Sequence, residues 1–327
     1  MKNLKKILIC LFLALFLSVG FNSAYAETNY YYLGGNVLGF TIKTEGATVV
    51  GICDVITTSG LKSPCKQAGI EVGDVIYSLG DTTVNSASDV AKSLKSYKGG
   101  EIVTKICKDG QIKLVDVTPV KDVNGDYKLG VYIREDLNGL GTVTFYTADG
   151  TFGSLGHPVS DENQKPYSVL GGKVYNSSVI GINKASRGKA GELRGMFLGE
   201  SPIGSVYKNT NVGLFGKIDN FDTKNKLKVE LGTPKQGSAR IYSTVDGITP
   251  KYYDISIVKV DLFTSGNKNL VIKITDKELL DYTGGILQGM SGSPILQDGK
   301  LIGAVTHVFI NDSSRGYGIF IDNMLKN

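Results

Sequence analysis

The stretch "GGILQGMSGSPILQDGKLIGAVTH", residues 284–307, places a glycine-rich turn between two apolar runs. Ser291 stands at the centre of this turn, and Pro294 opens the second run. The glycines let the backbone turn sharply, so that the N–H groups of Gly289 and Ser291 can point at one spot. The stretch therefore predicts either a plain connection between two strands or a nucleophilic serine beside an oxyanion hole.

A serine hydroxyl becomes a nucleophile when a base takes its proton and donors stabilise the oxyanion. The chain offers two histidines as the base: His157 in "FGSLGHP" and His307 in "GAVTHVFIND". His157 read alone is a turn residue at the end of a hairpin, whereas together with the Ser291 turn it becomes the predicted base. A set of several histidines holding a metal ion is excluded by their number, and we expect no metal and no cofactor.

The turn resembles the G-D-S-G-G-P turn of chymotrypsin-like serine proteases, with Met290 in place of Asp and Ser293 in place of Gly. The resemblance implies that the histidine comes from the first barrel, which suits His157. It also implies that Thr306 and His307 lie on the strand that lines the substrate pocket, so we assign His307 to the pocket wall or core. The nucleophile elbow of α/β-hydrolases does not fit, because it needs glycine where Ser293 stands.

The composition favours a mainly β, exported protein. The chain has 327 residues with 42 glycines and 8 prolines, and many short Val/Ile/Leu runs end in turn residues. Lys2, Lys5 and Lys6 precede the apolar run "ILICLFLALFLSVGF" and the small-residue site Ala24-Tyr25-Ala26, which is typical of a signal peptide. A retained membrane anchor is the alternative for residues 1–26.

Removal of residues 1–26 leaves 33 basic and 31 acidic side chains, a formal charge of +2. This small excess does not suggest nucleic-acid binding. Cys53, Cys65 and Cys107 then remain, an odd number with no C-x-x-C pair, which indicates neither a disulfide framework nor a zinc site.

Residues 36–120 resemble a PDZ domain. Two short strands are predicted in "NVLGFTIKTEGATVVGI", a helix in "SASDVAKSLKSY" with Ser86 or Ser88 as its N-cap, and a hairpin that turns at Asp109-Gly110. The motif "AGIEVGDVIYSLGDTTV" carries most of the resemblance. The resemblance implies that the loop of Val37, Leu38, Gly39 and Phe40 binds a peptide or chain terminus, although core packing is the alternative for Leu38 and Phe40.

Residues 127–327 read as short strands whose spacing suits an antiparallel barrel or sandwich. Hairpins are predicted at Asp149-Gly150 and Asp298-Gly299. The acid that would orient the histidine is not settled by spacing. Asp276 ends a strand 15 residues before Ser291, and its competitors are Asp219, Asp261 and Asp281.

The combination of leader, PDZ-like unit, "GSLGHPVSD", "TDKELLDYTGGILQGMSGSPI" and "IGAVTHVFINDSSRGYGIFIDNML" resembles the stage IV sporulation protein B peptidases. The resemblance implies a small α+β PDZ domain followed by a chymotrypsin-like double β-barrel, with His157, Asp276 and Ser291 as a catalytic triad. It implies export across the forespore membrane into the intermembrane space. It also implies cleavage of the peptidase itself and of a membrane-associated regulator of an intramembrane protease that processes a sigma factor.

The sequence alone leaves two other functions open. The first is a non-catalytic scaffold, in which the PDZ-like unit captures chain ends and the β domain is a degenerate protease shell. The second is a structural β protein of the envelope, which only the glycine content favours.

Overall fold

The computed structural model describes residues 30–161, 164–263 and 266–326, and the predicted leader at 1–26 lies outside them. Within the described residues the chain is mainly β, as its composition predicts. The strands in chain order are β1 (Tyr31–Leu33), β2 (Val37–Ile52), β3 (Val55–Thr57), β4 (Gly60–Lys62), β5 (Val75–Leu79), β6 (Thr82–Thr83), β7 (Ile102–Lys108), β8 (Gln111–Val117), β9 (Val120–Lys121), β10 (Tyr127–Lys128), β11 (Val131–Tyr146), β12 (Thr151–Ser154), β13 (Val169–Asn183), β14 (Gly191–Phe197), β15 (Gly204–Thr210), β16 (Gly213–Ile218), β17 (Lys228–Val229), β18 (Gly237–Ser243), β19 (Lys251–Val260), β20 (Leu270–Ile274), β21 (Leu287–Gln288), β22 (Pro294–Gln297), β23 (Lys300–Phe309) and β24 (Asp312–Phe320). The helices are α1 (Pro64–Gln67), α2 (Ala87–Ser96), α3 (Lys277–Thr283) and α4 (Ile321–Leu325). None of these four helices has the length and apolar character that crossing a membrane requires.

Six antiparallel strands close a first barrel in the order β2, β11, β12, β16, β15 and β13, and the pairing of β2 with β11 completes the ring. The apolar side chains inside are large and branched or aromatic, which suits the interior of a small closed barrel. They include Leu38, Phe40, Val143, Phe152, Leu155, Val174, Val206 and Leu214.

A second closed barrel follows in the chain, with strand order β18, β19, β20, β24, β23 and β22. Its strands alternate buried and exposed positions, the period-2 pattern of a strand with one face in a core. The buried positions are largely isoleucine and include Ile241, Ile255, Ile257, Ile272, Ile274 and Ile295. The two rings give the double barrel that the sequence predicts.

A small α+β unit lies in the chain between the first two strands of the first barrel. Strands β5, β7 and β8 extend the sheet from β2, and helix α2 packs its Val90 face on a separate core that includes Ile76 and Ile106. Strands β2 and β11 are each 16 residues long, and they run from this unit into the barrel. The stretch 36–52, predicted as two short strands, therefore contains one strand, Val37–Ile52, with an irregular register.

Several local predictions are confirmed. Helix α2 begins after Ser86, whose side chain accepts a hydrogen bond from the Asp89 N–H, as an N-cap serine does. The hairpins at Asp109-Gly110, Asp149-Gly150 and Asp298-Gly299 all form where the sequence places them. Each turn has one or two residues with positive φ, Asp or Gly, so the local sequence suffices to predict them.

The assignment of residues 37–40 to a peptide-binding loop needs correction. Val37, Leu38, Gly39 and Phe40 lie within β2, which pairs with β11 along one edge and with β13 along the other. Val37, Leu38 and Phe40 are buried in the cores. Neither edge of β2 is open here, so an added peptide strand has no main-chain groups to pair with. Core packing is the correct interpretation of Leu38 and Phe40.

Candidate active site

A cavity of about 1060 Å³ is lined by residues of both barrels. The first barrel contributes Leu155 and the loop that begins with His157, and the second contributes Gly289 and Ser291. Thr306 and His307 of β23 also line it, where the sequence expects the substrate pocket. The predicted base, nucleophile and pocket residues therefore all face one space, although they lie far apart in the chain.

Ser291 lies where two tight turns meet. The Met290 N–H donates to the Leu287 carbonyl at 3.1 Å, and the Ser293 N–H donates to the Met290 carbonyl at 3.0 Å. The third residue of each turn is a glycine with positive φ, Gly289 at 96° and Gly292 at 92°, as type II turns require. The pattern Q-G-M-S-G-S therefore encodes the paired turns directly.

The turns are held from the first barrel by two buried threonines of β11. Thr142 Oγ1 donates to the Gly289 carbonyl at 2.7 Å, and the Thr142 N–H donates to the Ser291 carbonyl at 3.3 Å. Thr144 Oγ1 donates to the Gly292 carbonyl at 2.8 Å. Hydrogen bonds from the first barrel therefore position the turn that carries Ser291 in the second barrel.

The amide groups of the turn separate into two sets. The N–H groups of Met290, Gly292 and Ser293 each donate to a backbone carbonyl. Those of Gly289 and Ser291 donate to none among the turn and loop hydrogen bonds of the described residues. These are the two amides that the sequence predicts for the oxyanion hole, and both residues line the cavity.

The two turns around Ser291, residues 287–293, are named the nucleophile turn for the predicted role of Ser291. His157 follows a bend that packs directly on this turn. Leu155 and Gly156 both have positive φ, 67° and 69°, and the Leu155 N–H donates to the Thr142 carbonyl at 3.2 Å. The Cα of Gly292 lies so close that an added Cβ would overlap both the Thr142 carbonyl and the Leu155 amide. The bend and the turn can meet only because residue 292 is glycine.

The imidazole of His157 has one nitrogen engaged. Its Nδ1 lies 2.9 Å from the Pro158 carbonyl oxygen, which can only accept, so in the neutral ring Nδ1 carries the proton and Nε2 has the lone pair. Burial lowers the pKa of His157, and the hydrogen bond to Pro158 opposes that shift. The ring is therefore neutral at neutral pH and can accept a proton at Nε2.

The ring of His307 lies beside that of His157, with the centroids 5.1 Å apart. Burial lowers the pKa of His307 to about 4, and the nearby charges of His157 and Lys268 add to the effect. Its Nδ1 is buried and has no hydrogen-bond partner among the described residues. Because His307 is uncharged at neutral pH, it does not repel the positive charge that His157 acquires when it takes a proton.

Asp276 is not brought into this cavity. It is the N-cap of α3, where Oδ1 accepts from the Leu279 N–H at 2.9 Å and Oδ2 accepts from the Asp254 N–H at 3.2 Å. The pKa of His157 is shifted by burial and by Pro158, with no carboxylate among the causes. The histidine and serine of the predicted triad thus share one cavity, whereas its acid caps a helix.

Sequence reasoning missed the residues that hold the turn. Thr142 and Thr144 lie about 150 positions away in the chain, in a stretch that reads only as a strand. Buried hydroxyls on a strand otherwise rich in apolar residues are a weak signal, because Thr is common in strands. Ser293 departs from the glycine of the protease turn, but its partner Ser243 lies 50 positions away in the chain.

Comparison with known protein families gives an independent identification. The family model described as SpoIVB peptidase S55 matches residues 125–325. This match spans most of the chain and includes both His157 and Ser291. Within the described residues, no group of three or more His, Cys, Asp or Glu side chains is arranged to hold a metal ion.

Curated relatives match over a much shorter stretch. A protein of Staphylococcus aureus strain MRSA252 named as a zinc metalloprotease is 38% identical over 60 residues, which are 18% of this chain and 14% of that protein. Its counterpart in strain N315 is 37% identical over 60 residues, with the same coverage. The chain therefore spans about one seventh of the length of these relatives.

Proposed function

The chain belongs to the SpoIVB peptidase S55 family, a family of serine peptidases of sporulation, and from that premise we propose that it is a regulatory endopeptidase with Ser291 as nucleophile and His157 as base. The observation that carries this proposal is the shared cavity. It is lined by Ser291 in the turn of the second barrel and by His157 in the loop of the first barrel.

The proposed reaction is acyl transfer to serine followed by hydrolysis. Ser291 Oγ forms a bond to the scissile carbonyl carbon while its proton passes to Nε2 of His157. The same proton then passes to the leaving amine as the peptide bond breaks, and water repeats the attack on the acyl-enzyme. The Pro158 carbonyl supports this role, because it holds the proton on Nδ1 and leaves Nε2 free.

The amides of Gly289 and Ser291 are proposed to stabilise the negative charge on the carbonyl oxygen. Their N–H groups are not used within the turn, and the threonines of β11 hold the surrounding carbonyls in place. A donor of this kind contributes about 3 kcal/mol to binding of the transition state. Effective electrostatic catalysis requires donors that are in place before the reaction, and the hydrogen bonds of Thr142 and Thr144 support such preorganisation.

The substrates proposed are the peptidase itself and a membrane-associated regulator of an intramembrane protease. Export across the forespore membrane into the intermembrane space is proposed with them. Both rest on the family and on the signal-like sequence of residues 1–26. The cavity supports a polypeptide substrate because it is long enough to contact residues of β11, β21 and β23 at once.

The test is replacement of the nucleophile. Ser291→Ala is expected to abolish self-processing and labelling by a serine-reactive fluorophosphonate, while the urea unfolding midpoint stays within experimental error of wild type. Ser314→Ala, a change at a half-buried serine of β24 outside the cavity, is the matched control and should keep both self-processing and labelling. Self-processing by purified Ser291→Ala at the wild-type rate would overturn the proposal and favour a second serine or a contaminating protease.

A second recognition site is proposed in the α+β unit. A cavity of about 820 Å³ lies between helix α2, which contributes Val90, Ala91 and Leu94, and the start of β11. From residue 131 to 134 β11 pairs with β2, and no described strand pairs with its other edge there. The site is thus a groove with an apolar wall and an open strand edge, the combination that accepts an extended peptide.

The backbone at the start of β11 is oriented for such a peptide. The Cys53 N–H donates to the Gly130 carbonyl at 2.9 Å across the pair of Val131 and Ile52. In an antiparallel pair this pattern turns the N–H and C=O of Val131 to the opposite edge, toward the groove. Lys95 also lines the groove and is proposed to attract a chain-terminal carboxylate, whereas Lys128 lies 3.8 Å from the carboxylates of Asp122 and Asp126. We therefore place the proposed peptide site here rather than at residues 37–40.

Peptide binding in this groove can be measured with the Ser291→Ala protein. Leu94→Asp puts a charge on the apolar wall and is expected to weaken binding of a fluorescent peptide with an apolar C-terminal residue at least tenfold. Leu114→Asp, at an exposed position of β8 away from the groove, is the control. Equal binding by wild type and Leu94→Asp would refute the groove, and equal binding of the peptide and its C-terminal amide would refute the role of the carboxylate.

A further inference from the structure

The hydroxyl of Ser293 occupies an unusual place in the nucleophile turn. Ser293 is completely buried, and its Oγ lies 2.6 Å from the Met290 carbonyl oxygen and 2.8 Å from Oγ of Ser243. Ser243, at the end of β18, is also completely buried. Neither hydroxyl can exchange its partner for water without opening the core, so both hydrogen bonds persist in the folded protein.

The position of the Ser293 hydroxyl proton can be assigned from its two contacts. A carbonyl oxygen only accepts, so the single hydroxyl proton of Ser293 can be donated to Met290. Ser243 Oγ is a second acceptor for the same proton, at the longer distance of 2.8 Å. The shorter contact, 2.6 Å, favours the Met290 carbonyl as the acceptor, within the turn that carries Ser291.

The Met290 carbonyl belongs to the same peptide unit as the Ser291 N–H. That unit is planar and trans, so its C=O and N–H point in opposite directions, and fixing one direction fixes the other. The carbonyl accepts two donors, the N–H and the Oγ of Ser293. Rotation of this unit would change the direction of the Ser291 N–H, and both hydrogen bonds oppose that rotation.

We propose that Ser293 is a positioning residue that holds the Ser291 amide toward the oxyanion in the reaction proposed above. This gives a physical role to the departure from the G-D-S-G-G-P turn, which has glycine at this point and therefore no hydroxyl. The inference rests on the proposed function, since an oxyanion forms only if Ser291 acts as nucleophile.

The probe for the test is an alkyl fluorophosphonate, whose reaction with serine also develops negative charge on an oxygen in the hole. Ser293→Ala is expected to lower the maximal rate of inactivation by about 10- to 100-fold, below the 10²–10³-fold that loss of an oxyanion donor costs. The inhibitor concentration at half-maximal rate should stay unchanged, because binding before reaction does not use the hole. The pKa seen in the pH dependence of the rate should also stay unchanged, because His157 is untouched.

Two further variants separate positioning from stability. Ser177→Ala removes a similar buried bond, from Ser177 Oγ to the Val37 carbonyl at 2.8 Å, away from the cavity. It should lower the unfolding midpoint as much as Ser293→Ala does and leave the rate of inactivation intact. Ser243→Ala leaves Ser293 able to donate to Met290, so it should slow inactivation less than Ser293→Ala, and adding it to Ser293→Ala should cause no further loss.

The outcomes distinguish the inference from the function on which it rests. An active wild type with an equally active Ser293→Ala variant would refute the positioning role and leave the peptidase assignment intact. Equal losses of rate in Ser177→Ala and Ser293→Ala would also refute it, since the effect would then follow stability. A folded wild type that neither self-processes nor reacts at Ser291 would overturn the proposed function and the inference together.

Discussion

At the scale of single residues, the serine and the histidine meet the chemical needs of a peptidase, and the aspartate has another partner. Burial keeps both histidines uncharged at neutral pH, so His157 can take a proton and His307 does not oppose it. Asp276 instead uses both carboxylate oxygens on backbone amides. The family resemblance implies a catalytic role for this residue, and its contacts indicate a capping role.

The capping role of Asp276 makes a prediction for stability. Asp276→Ala removes both acceptors and is expected to lower the free energy of unfolding by about 1 kcal/mol, as loss of an N-cap does. Asp276→Asn keeps one carbonyl oxygen for the Leu279 N–H and should cost less. Urea unfolding monitored by circular dichroism measures both, with Asp281→Ala on an exposed position of α3 as the control.

Activity of the same variants decides whether capping is the whole role. If Asp276 only caps α3, Asp276→Asn should react with the fluorophosphonate at nearly the wild-type rate. A variant that keeps its stability and loses its reactivity would contradict this expectation and would assign Asp276 the triad role that the family implies.

At the scale of elements, the nucleophile turn depends on close approach of two backbones. Type II turns place Gly289 and Gly292 at positive φ, and the bend of Leu155 and Gly156 packs against Gly292. Strand β11 then holds the turn through Thr142 and Thr144. Local turn chemistry gives the shape of the turn, and contacts with the first barrel give its position.

Gly292→Ala tests this close approach. The added Cβ would overlap backbone atoms that cannot move independently, so we expect both a lower unfolding midpoint and a loss of fluorophosphonate labelling of at least tenfold. Gly299→Ala is the matched control, because Gly299 also has positive φ, 78°, but has open space where its Cβ would stand. Gly299→Ala should show only the strain of a left-handed residue, about 1–2 kcal/mol, with labelling retained. Equal effects of the two changes would show that backbone strain, and not the contact, is what matters at residue 292.

At the scale of the whole molecule, β2 and β11 join the α+β unit to the first barrel. Each strand contributes to the core of the unit at one end and to the barrel at the other. The groove and the nucleophile turn also share β11, since Val131 lies at its start and Thr142 near its end. Unfolding of the small unit would therefore release the strand that positions Ser291.

This continuity predicts that the small unit and the active site unfold together. Ile76 is fully buried in the core of the unit, and Ile76→Ala is expected to cost about 2–5 kcal/mol. The urea midpoint for loss of fluorophosphonate labelling should fall as far as the midpoint seen by circular dichroism. Val103→Ala, at a half-exposed position of the same sheet, should move neither midpoint appreciably. A labelling midpoint that stays at its wild-type value in Ile76→Ala would show that the unit folds independently.

The sequence by itself determined the features that depend on neighbouring residues. The β character, the Asp-Gly hairpins, the Ser86-capped helix and the glycine turn around Ser291 all follow from backbone preferences within a few positions. His157 and Ser291 are predictable from the sequence because few histidines and serines stand in glycine-containing turns of this kind. The family resemblance is recognisable because its motifs are contiguous in the chain.

Only the tertiary structure decided which distant segments meet. It placed Val37–Phe40 between two partner strands rather than in a loop, and it made Asp276 the N-cap of α3, with both carboxylate oxygens on backbone amides. It also revealed Thr142 and Thr144 as supports of the nucleophile turn, and Ser243 as a buried acceptor beside Ser293. The reason is that strand pairing and hydroxyl-to-carbonyl contacts join residues 50 to 150 positions apart, and no local preference encodes which strand becomes the neighbour of which.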